Sequence, residues 1–246
     1  MIVYVLIEHQ RTVDPLMAVR MMRYQSRIWD RYVHEHPGTT TVPIILSAVV
    51  YQGKRPWTAP TDLRDVLDLD SATAAAVAEY LPRLCYQLDD LTQVDVETLR
   101  GRALTPPLRL MLLLLMQAPD NPDVVRLLES LRSDITDVAA GHSGPRQLRA
   151  AFTYIVNVTD IPTRQLEPFA HRLGPVVQEA LMTTAEKLRA EGRAQGQAEL
   201  LLELLTLRFG PQGADVEARV RAGSSGQLHV WGRRILTAST VADVLD

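Results

Sequence analysis

Cysteine is almost absent from this chain of 246 residues, whose single example is Cys85. A lone cysteine excludes a disulfide within the chain. It also excludes zinc sites built from several cysteines. His34 and His36 lie close together, but no second pair follows at zinc-ligand spacing, so we interpret both as surface histidines.

Long apolar runs are missing as well. The longest purely apolar run near the middle of the chain, Leu110 to Met116, falls far below the roughly 18 residues that a membrane-spanning helix needs. The apolar stretch at the N-terminus has neither the basic region nor the cleavage site of a signal peptide. We therefore expect a cytoplasmic protein that does not bind membranes.

Neither sign of charge dominates, since the net charge is −3, but the charges are distributed unevenly. Residues 1–60 contain seven basic and four acidic side chains, whereas residues 61–140 contain seven basic and fourteen acidic ones. Hydrophobic residues make up 46% and charged residues 22%, which is typical of a globular protein with one large or two modest domains. The N-terminal surplus of positive charge favours an anionic partner there.

An apolar, β-branched run opens the chain and ends in Glu8-His9-Gln10. It predicts a strand over residues 2–10 whose two faces are both apolar, and such strands are usually central and covered on both sides. Glu8 and Gln10 lie two residues apart, so they point to the same face. Polar groups at the end of a buried strand are a common position for ligand chemistry in α/β sheets.

A helix and a second strand are predicted next. Asp14-Pro15 is a good helix start, and the helix should run from about Pro15 to His34. An arginine edge flanks its apolar stripe and consists of Arg20, Arg23, Arg27 and Arg31. Residues 42–51 then predict a second buried strand, so the N-terminal part should be a βαβ unit with parallel strands.

The remainder of the chain predicts helices. We expect a short helix or turn from Thr61 to Leu69, a helix from Ser71 to about Leu81, and further helices near 94–103, 107–118, 121–139, 145–157 and 163–173. A long amphipathic helix should run over 174–209, and Gly192 and Gly196 predict a weak or kinked joint, since each costs about 1 kcal/mol. The tail, 197–246, should form a small module of short helices.

The residues at the end of the first strand suggest a chemistry. Glu8 could be one ligand of Mg²⁺, which prefers oxygen ligands and takes one or two carboxylates. The Gln10 carboxamide can orient water or bind phosphate, and the arginine edge can bind phosphate oxygens. Together these groups point to metal-assisted hydrolysis of phosphodiesters, although such residues are more often solvated surface groups.

Three motifs give that interpretation a context. The first is Val5-Leu6-Ile7-Glu8-His9-Gln10, followed by Asp14-Pro15-Leu16-Met17, Arg20 and Arg23-Tyr24. The second is Val42-Pro43-Ile44-Ile45 with Tyr51-Gln52-Gly53 and Pro56-Trp57. Both resemble the recombination-promoting nuclease/putative transposase family (YhgA-like). The third, residues 200–210, resembles a small helical domain of unknown function that is often fused to such proteins.

The resemblance implies a PD-(D/E)XK nuclease with a restriction-endonuclease-like α/β core, and a Mg²⁺-dependent DNA endonuclease that promotes recombination. Glu8 matches the metal-binding acid of the (D/E)-X-K motif, and Gln10 occupies the place of its lysine, so these two are the candidate catalytic residues. Arg20 and Tyr24 match the helix positions beside the site. Together with Arg23 and Arg27 they are the candidate DNA-binding residues.

The chain also departs from the family pattern. Arg11 stands where the family usually has serine, and Gln52 where it often has histidine. The superfamily's other metal ligand is an aspartate on a strand that should precede residue 1. We therefore expect an N-terminally truncated core with negligible nuclease activity, unless translation starts upstream of residue 1 or a partner chain donates the missing strands. The open strand edge, or the long C-terminal helix, would favour self-association.

The expected fold class is an α/β remnant of the nuclease core followed by a mostly α-helical region, α-rich overall. We divide it into a partial nuclease core (1–60), a helical extension (61–190) and a small C-terminal helical domain (191–246). Two other functions remain open. One is a non-catalytic helical interaction protein, and the other is a mobile-element relic that binds DNA non-specifically through the arginine edge.

Overall fold

A computed structural model describes residues 2–246, which divide into two compact units at Asn121 and Pro122. The first unit contains a small sheet and short helices, and the second consists of helices. This is the expected α-rich α/β fold class. The finer division at residues 60 and 190 stays a prediction.

Three parallel strands form the sheet, in the order β1 (Val3–Gln10), β2 (Ile44–Tyr51) and β3 (Gln87–Asp90). Helix α1 (Met17–Glu35) connects the first two, which confirms the predicted βαβ unit. The register aligns Gln10, Tyr51 and Asp90 across the sheet, so the carboxyl ends of all three strands meet at one edge.

Helix α1 covers one face of the sheet. Met17, Ala18 and Met21 are fully buried and pack with Val49 of β2 and with a cluster that also includes Tyr86. Two hydrogen bonds tie the helix to β2 and the residue before it: Gln25 Nε2 donates to Ser47 Oγ (2.8 Å), and Trp29 Nε1 donates to the Pro43 carbonyl (2.9 Å). Because strand side chains alternate, Glu8 and Gln10 point to this covered face.

The opposite face of the sheet is open, which corrects the expectation for the first strand. Among the described residues β1 pairs only with β2, so β1 is an edge strand and β2 is central. Apolar side chains on this face are 44–62% exposed: Val3, Val5, Ile7, Ile44 and Leu46. The apolar pattern of β1 predicts burial on both sides, but α1 supplies a cover for only one.

Short elements complete the first unit. They are 3₁₀ turns at Leu63–Val66 and Leu91–Gln93, and helices α2 (Ser71–Ala76), α3 (Val96–Gly101) and α4 (Pro106–Gln117). Helix α2 is shorter than predicted, and Asp70 caps it by accepting hydrogen bonds from the amides of Ala72 and Thr73. Strand β3 is absent from the sequence prediction, since its sequence Gln-Leu-Asp-Asp is poor in strand-forming residues.

The second unit contains eight helices among the described residues, in chain order α5 (Val124–Ser130), α6 (Arg132–Ala139), α7 (Gly144–Val158), α8 (Thr163–Leu173), α9 (Pro175–Phe209), α10 (Ala214–Arg221), α11 (Ser225–Arg234) and α12 (Val241–Leu245). The segment predicted as one helix over 121–139 is two helices that meet at Leu131. Helix α9 continues through Gly192 and Gly196, so the predicted joint does not interrupt it.

Two groups of helices pack against α9. Helices α7 and α8 contact it, and so do α10 and α11. Its second half forms a hydrophobic core with α10–α12, which we call the C-terminal cluster: Ala198, Leu201, Leu205, Val220, Leu228, Trp231, Ile235, Val244 and Leu245. No helix in the described part of the chain is both long and apolar enough to span a bilayer.

Candidate functional site

A compact polar cluster lies where β1 ends, and we call Glu8, Gln10, Asp14 and Arg20 the strand-end cluster. One oxygen of Glu8, Oε1, accepts hydrogen bonds from Gln10 Nε2 (2.9 Å) and from Arg20 Nη2 (3.2 Å). The other terminal nitrogen of Arg20, Nη1, lies 3.1 Å from Asp14 Oδ2. The guanidinium therefore bridges two carboxylates, and about a quarter of the Glu8 side chain remains exposed.

The local sequence explains this arrangement. Asp14 Oδ1 accepts a hydrogen bond from the Leu16 amide (2.9 Å), and its carbonyl accepts one from the Met17 amide (3.1 Å). Asp14 thus stabilises the turn before α1, although the helix itself begins at Met17 and Leu16 occupies its N-cap. Arg20 follows one turn into the helix, close enough to reach back to the end of β1. Its buried Nε atom has no hydrogen-bond partner among the described residues.

His9 lies between the two cluster residues of β1 and points to the opposite face. Partial burial, and then the positive charge of Arg11, lower the pKa of its imidazole below the ordinary value. The lowered pKa favours the neutral imidazole, so His9 contributes less positive charge to this edge of the sheet than an ordinary histidine would.

Two acids that the sequence interpretation missed lie at the end of β3. Arg102 Nη1 donates to both carboxylate oxygens of Asp89 (3.0 and 2.8 Å). The carboxylate of Asp90 accepts hydrogen bonds from the Trp57 amide (2.8 Å) and from the amide and hydroxyl of Thr92 (3.0 and 2.7 Å). Both acids therefore hold neighbouring segments in place. Only knowledge of strand β3 would have directed attention to them.

The donor set does not fit a magnesium site as it stands. Within residues 2–246, no group of three or more His, Cys, Asp or Glu side chains is arranged to hold a metal ion. Glu8 contributes a single carboxylate, and one of its oxygens, Oε1, is already paired with the Arg20 cation. A metal ion at Glu8 would compete with the Arg20 guanidinium for the carboxylate, and Glu8 belongs to no described group of three or more such ligands.

The predicted DNA-binding residues of α1 have different surroundings. Tyr24 is partly buried and packs against the core beneath the helix. Arg20 is directed toward the strand-end cluster, and Arg31 pairs with Glu35 (2.8 Å). Arg23 and Arg27 are exposed and form no ion pair within the described chain. The arginine edge therefore retains two unpaired cations, and the predicted roles of all these residues stay predictions.

A fixed loop follows β2. The Tyr51 hydroxyl donates to the Arg55 carbonyl (2.9 Å), and the Tyr51 ring makes an edge contact with Trp57, with centroids 5.0 Å apart. Gly53 lies under the Tyr51 side chain, where an added Cβ would be 1.8 Å from the hydroxyl oxygen. Only glycine allows this packing, so the motif that resembles the family's second signature fixes the shape of the loop.

Comparisons with known proteins agree with the resemblance seen in the motifs. The model of a family described as "Putative transposase, YhgA-like" matches residues 1–144. Inactive recombination-promoting nuclease-like protein RpnE of Escherichia coli (strain K12) is 29% identical over 221 residues, which cover 87% of this chain and 69% of that protein. Recombination-promoting nuclease RpnA of the same strain is 30% identical over 82% of this chain and 66% of its own length.

A further relative gives the same picture. Recombination-promoting nuclease RpnD of Escherichia coli O157:H7 is 28% identical over 76% of this chain and 67% of its own length. The chain thus spans about two-thirds of each of these relatives. No solved structure matches it significantly.

Proposed function

The chain belongs to the YhgA-like family of putative transposases, and on that premise we propose that it is a DNA-binding protein that takes part in recombination. Relatives named as recombination-promoting nucleases support a role in nuclease or recombination chemistry. The proposal includes membership of the PD-(D/E)XK superfamily, which rests on the sequence motifs, and a cytoplasmic location, which rests on the sequence features of the N-terminal stretch and the apolar runs. Mg²⁺ is the metal that the family implies, and binding it here would require a rearrangement of the Glu8–Arg20 pair.

The observation that supports the site is the strand-end cluster. Its Glu8 and Gln10 stand at the carboxyl end of a parallel strand, which is where α/β sheets bind their ligands. We assign Glu8 the role of the site's acid and Gln10 that of a group that orients water or phosphate. Arg20 acts as a positioning residue, because it holds the Glu8 carboxylate against α1.

We further propose that cleavage by this chain is negligible, because Glu8 belongs to no group of three or more metal-ligating side chains among the described residues, and its Oε1 atom is already paired with Arg20. One relative carries the word inactive in its name, so loss of activity has a precedent among similar proteins. Plasmid nicking in the presence of Mg²⁺ tests the proposal, with Glu8→Ala as the control. We expect no difference between the two proteins. Robust nicking that Glu8→Ala abolishes would overturn it and would make Glu8 a catalytic residue.

DNA binding through α1 is tested separately. Since Arg23 and Arg27 are exposed and unpaired, each can contact a phosphate. Replacing both with alanine should reduce the slope of the logarithm of the DNA affinity against the logarithm of the salt concentration by about 0.9 per lost contact on duplex DNA. An unchanged slope in a filter-binding titration would remove the arginine edge from the proposal.

Self-association is a second candidate function, favoured by the open edge and the exposed apolar face of β1. Val5 and Ile7 are 62% and 59% exposed, and unpaired strand edges attract further strands. Sedimentation velocity should show a dimer that the double variant Val5→Lys, Ile7→Lys dissociates. The matched control, Leu207→Lys on α9, replaces a residue that is 76% exposed. A monomeric wild-type protein would contradict the proposal. A dimer that Leu207→Lys dissociates, but the double variant does not, would place the dimer contact on α9 instead.

A further inference from the structure

We propose that a cleft beyond the carboxyl ends of the three strands binds the backbone of a single nucleic-acid strand, with Arg11, Lys54 and Arg55 as its phosphate contacts. The inference rests on the proposed DNA role and names the surface that performs it. None of these three residues belongs to the arginine edge of α1.

The position of the cleft follows from the parallel sheet. Its volume is about 870 Å³, and it is lined by the segments that directly follow each strand: residues 11–13 after β1, 52–55 after β2, and Leu91 and Thr92 after β3. Parallel strands bring these three segments to one edge, where open α/β sheets form their binding crevices. The size is that of a site for a small ligand or a short stretch of polymer.

The charge of the cleft is positive. Three of its lining residues are cations, and the only acid among them is Asp120. Arg11 and Arg55 make no ion pair or side-chain hydrogen bond within the described chain. Lys54 Nζ lies 3.4 Å from Asp120 Oδ2, but both side chains are largely exposed, so this pair contributes little and can yield to a phosphate.

Two of the cations, Lys54 and Arg55, are presented by a fixed loop. At the start of the 52–57 loop, the Gln52 amide donates to the Gln10 carbonyl (2.9 Å). Toward its end, the Tyr51 hydroxyl donates to the Arg55 carbonyl and the Trp57 amide donates to the Asp90 carboxylate, so both ends are anchored. Gly53 allows Tyr51 to lie across the loop. A backbone held in this way loses little conformational entropy when it binds a ligand, which raises affinity for a given set of contacts.

Part of the cleft lining is apolar, and this favours a single strand over a duplex. This part consists of Val13, Leu91, Val94, Leu115 and Met116. Unpaired bases expose apolar faces that can pack against these side chains while the backbone follows the cations. Sites that bind single strands combine a cationic groove with apolar surfaces for the bases in the same way, although those surfaces are usually aromatic. In a duplex the bases are stacked within the helix and could not reach these side chains.

Fluorescence anisotropy with a fluorescein-labelled oligo(dT) of about 15 nucleotides, in EDTA and over a range of salt concentrations, tests the proposal on the full chain. The cleft variant is Arg11→Ala, Arg55→Ala. The matched control is Arg193→Ala, Arg221→Ala, which removes the same charge from exposed positions in the second unit. Circular dichroism verifies that each variant is folded.

Removing two phosphate contacts should lower the salt slope by about 1.4 for a single strand, whereas the control should change it by less than half as much. A charge reversal, Lys54→Glu, should weaken binding at low salt further than Lys54→Ala. Equal slopes for the cleft variant and the control would overturn the cleft while leaving the DNA role intact. A wild-type protein that fails to bind any DNA would overturn both. A cleft variant that loses as much affinity for a duplex as for oligo(dT) would overturn the single-strand assignment.

Discussion

In the C-terminal cluster, Leu205, Val220 and Val244 are fully buried, whereas on the open face of the sheet Val5 and Ile7 are more than half exposed. Helices α9–α12 enclose their own core, but the sheet buries only the face under α1. The cationic cleft belongs to the same unit as the open face. The open face and the cleft that gathers three cations thus occur in the same unit. We therefore place ligand binding in the first unit, whereas the C-terminal cluster is a closed core.

The largest effect that tests this contrast should come from Leu205→Ala in the closed core. Deleting a fully buried leucine side chain leaves a cavity and should lower the free energy of unfolding by about 2–5 kcal/mol. Native-state hydrogen exchange of peptides from α9–α12 measures the free energy of unfolding of these helices alone, which is needed because two units can unfold separately. The control Leu207→Ala, two residues along the same helix, should change it by less than about 0.5 kcal/mol. Equal effects would mean that the cluster is not a closed core.

Gly53→Ala should have the next largest effect and tests the fixed loop of the first unit. The added methyl group would force the Tyr51 ring away and break its hydrogen bond to Arg55, at a cost of about 1–3 kcal/mol. Gly192→Ala is the control, because no atom outside its own helix turn lies within 4 Å of the added Cβ. That change should stabilise α9 by roughly 0.5–1 kcal/mol. Urea unfolding should therefore show a lower free energy of unfolding for Gly53→Ala and a higher one for Gly192→Ala. An unchanged free energy of unfolding for Gly53→Ala would show that Tyr51 does not hold the loop.

A smaller difference should separate the two faces of the sheet. Val49 is fully buried under α1, so Val49→Ala should cost about 1.5 kcal/mol for the apolar surface that it loses. Val5→Ala, on the open face, should change the free energy of unfolding by less than about 0.5 kcal/mol. Urea unfolding of both variants at low protein concentration provides the comparison. A large loss for Val5→Ala would indicate that the open face is covered in solution.

The smallest effect should appear in the pH dependence of Asp62. Hydrogen bonds from the side chain and the amide of Arg64 lower the pKa of this carboxyl from 3.8 to about 2. Because the folded-state pKa is depressed, the stabilisation is complete above the unfolded pKa and is lost as the pH falls through about 4 to about 2. The urea midpoint of wild type should therefore decline more than that of Asp62→Asn in this window. The difference between the two midpoints should be small, because the Asp62–Arg64 pair is partly exposed. Midpoints that decline equally in both proteins would show that the Asp62 carboxylate does not stabilise the fold.

The sequence predicts the framework of the first unit well, because hydrophobic periodicity is a strong local signal. It identifies β1, α1 and β2, and it places Glu8 and Gln10 on one face of the strand. The ion pair between Glu8 and Arg20 depends on how α1 packs over the sheet, which periodicity alone does not specify.

Other features lie beyond a local reading of the sequence. Strand β3 carries two aspartates in four residues and is recognisable only through its pairing with β2. The cleft combines segments from three distant parts of the chain, so Arg11 and Lys54 line one cavity only once the sheet is formed. The exposure of Val5 is likewise a tertiary property, because a strand that is apolar on both faces does not reveal which face is covered.

Hydrogen–deuterium exchange of the full chain, with and without oligo(dT), tests the central claim most directly. We predict that the oligonucleotide protects peptides covering residues 11–13, 52–55 and 91–94 at short labelling times and leaves α9–α12 unchanged. Protection confined to α9–α12, with no change at the ends of the strands, would contradict that claim.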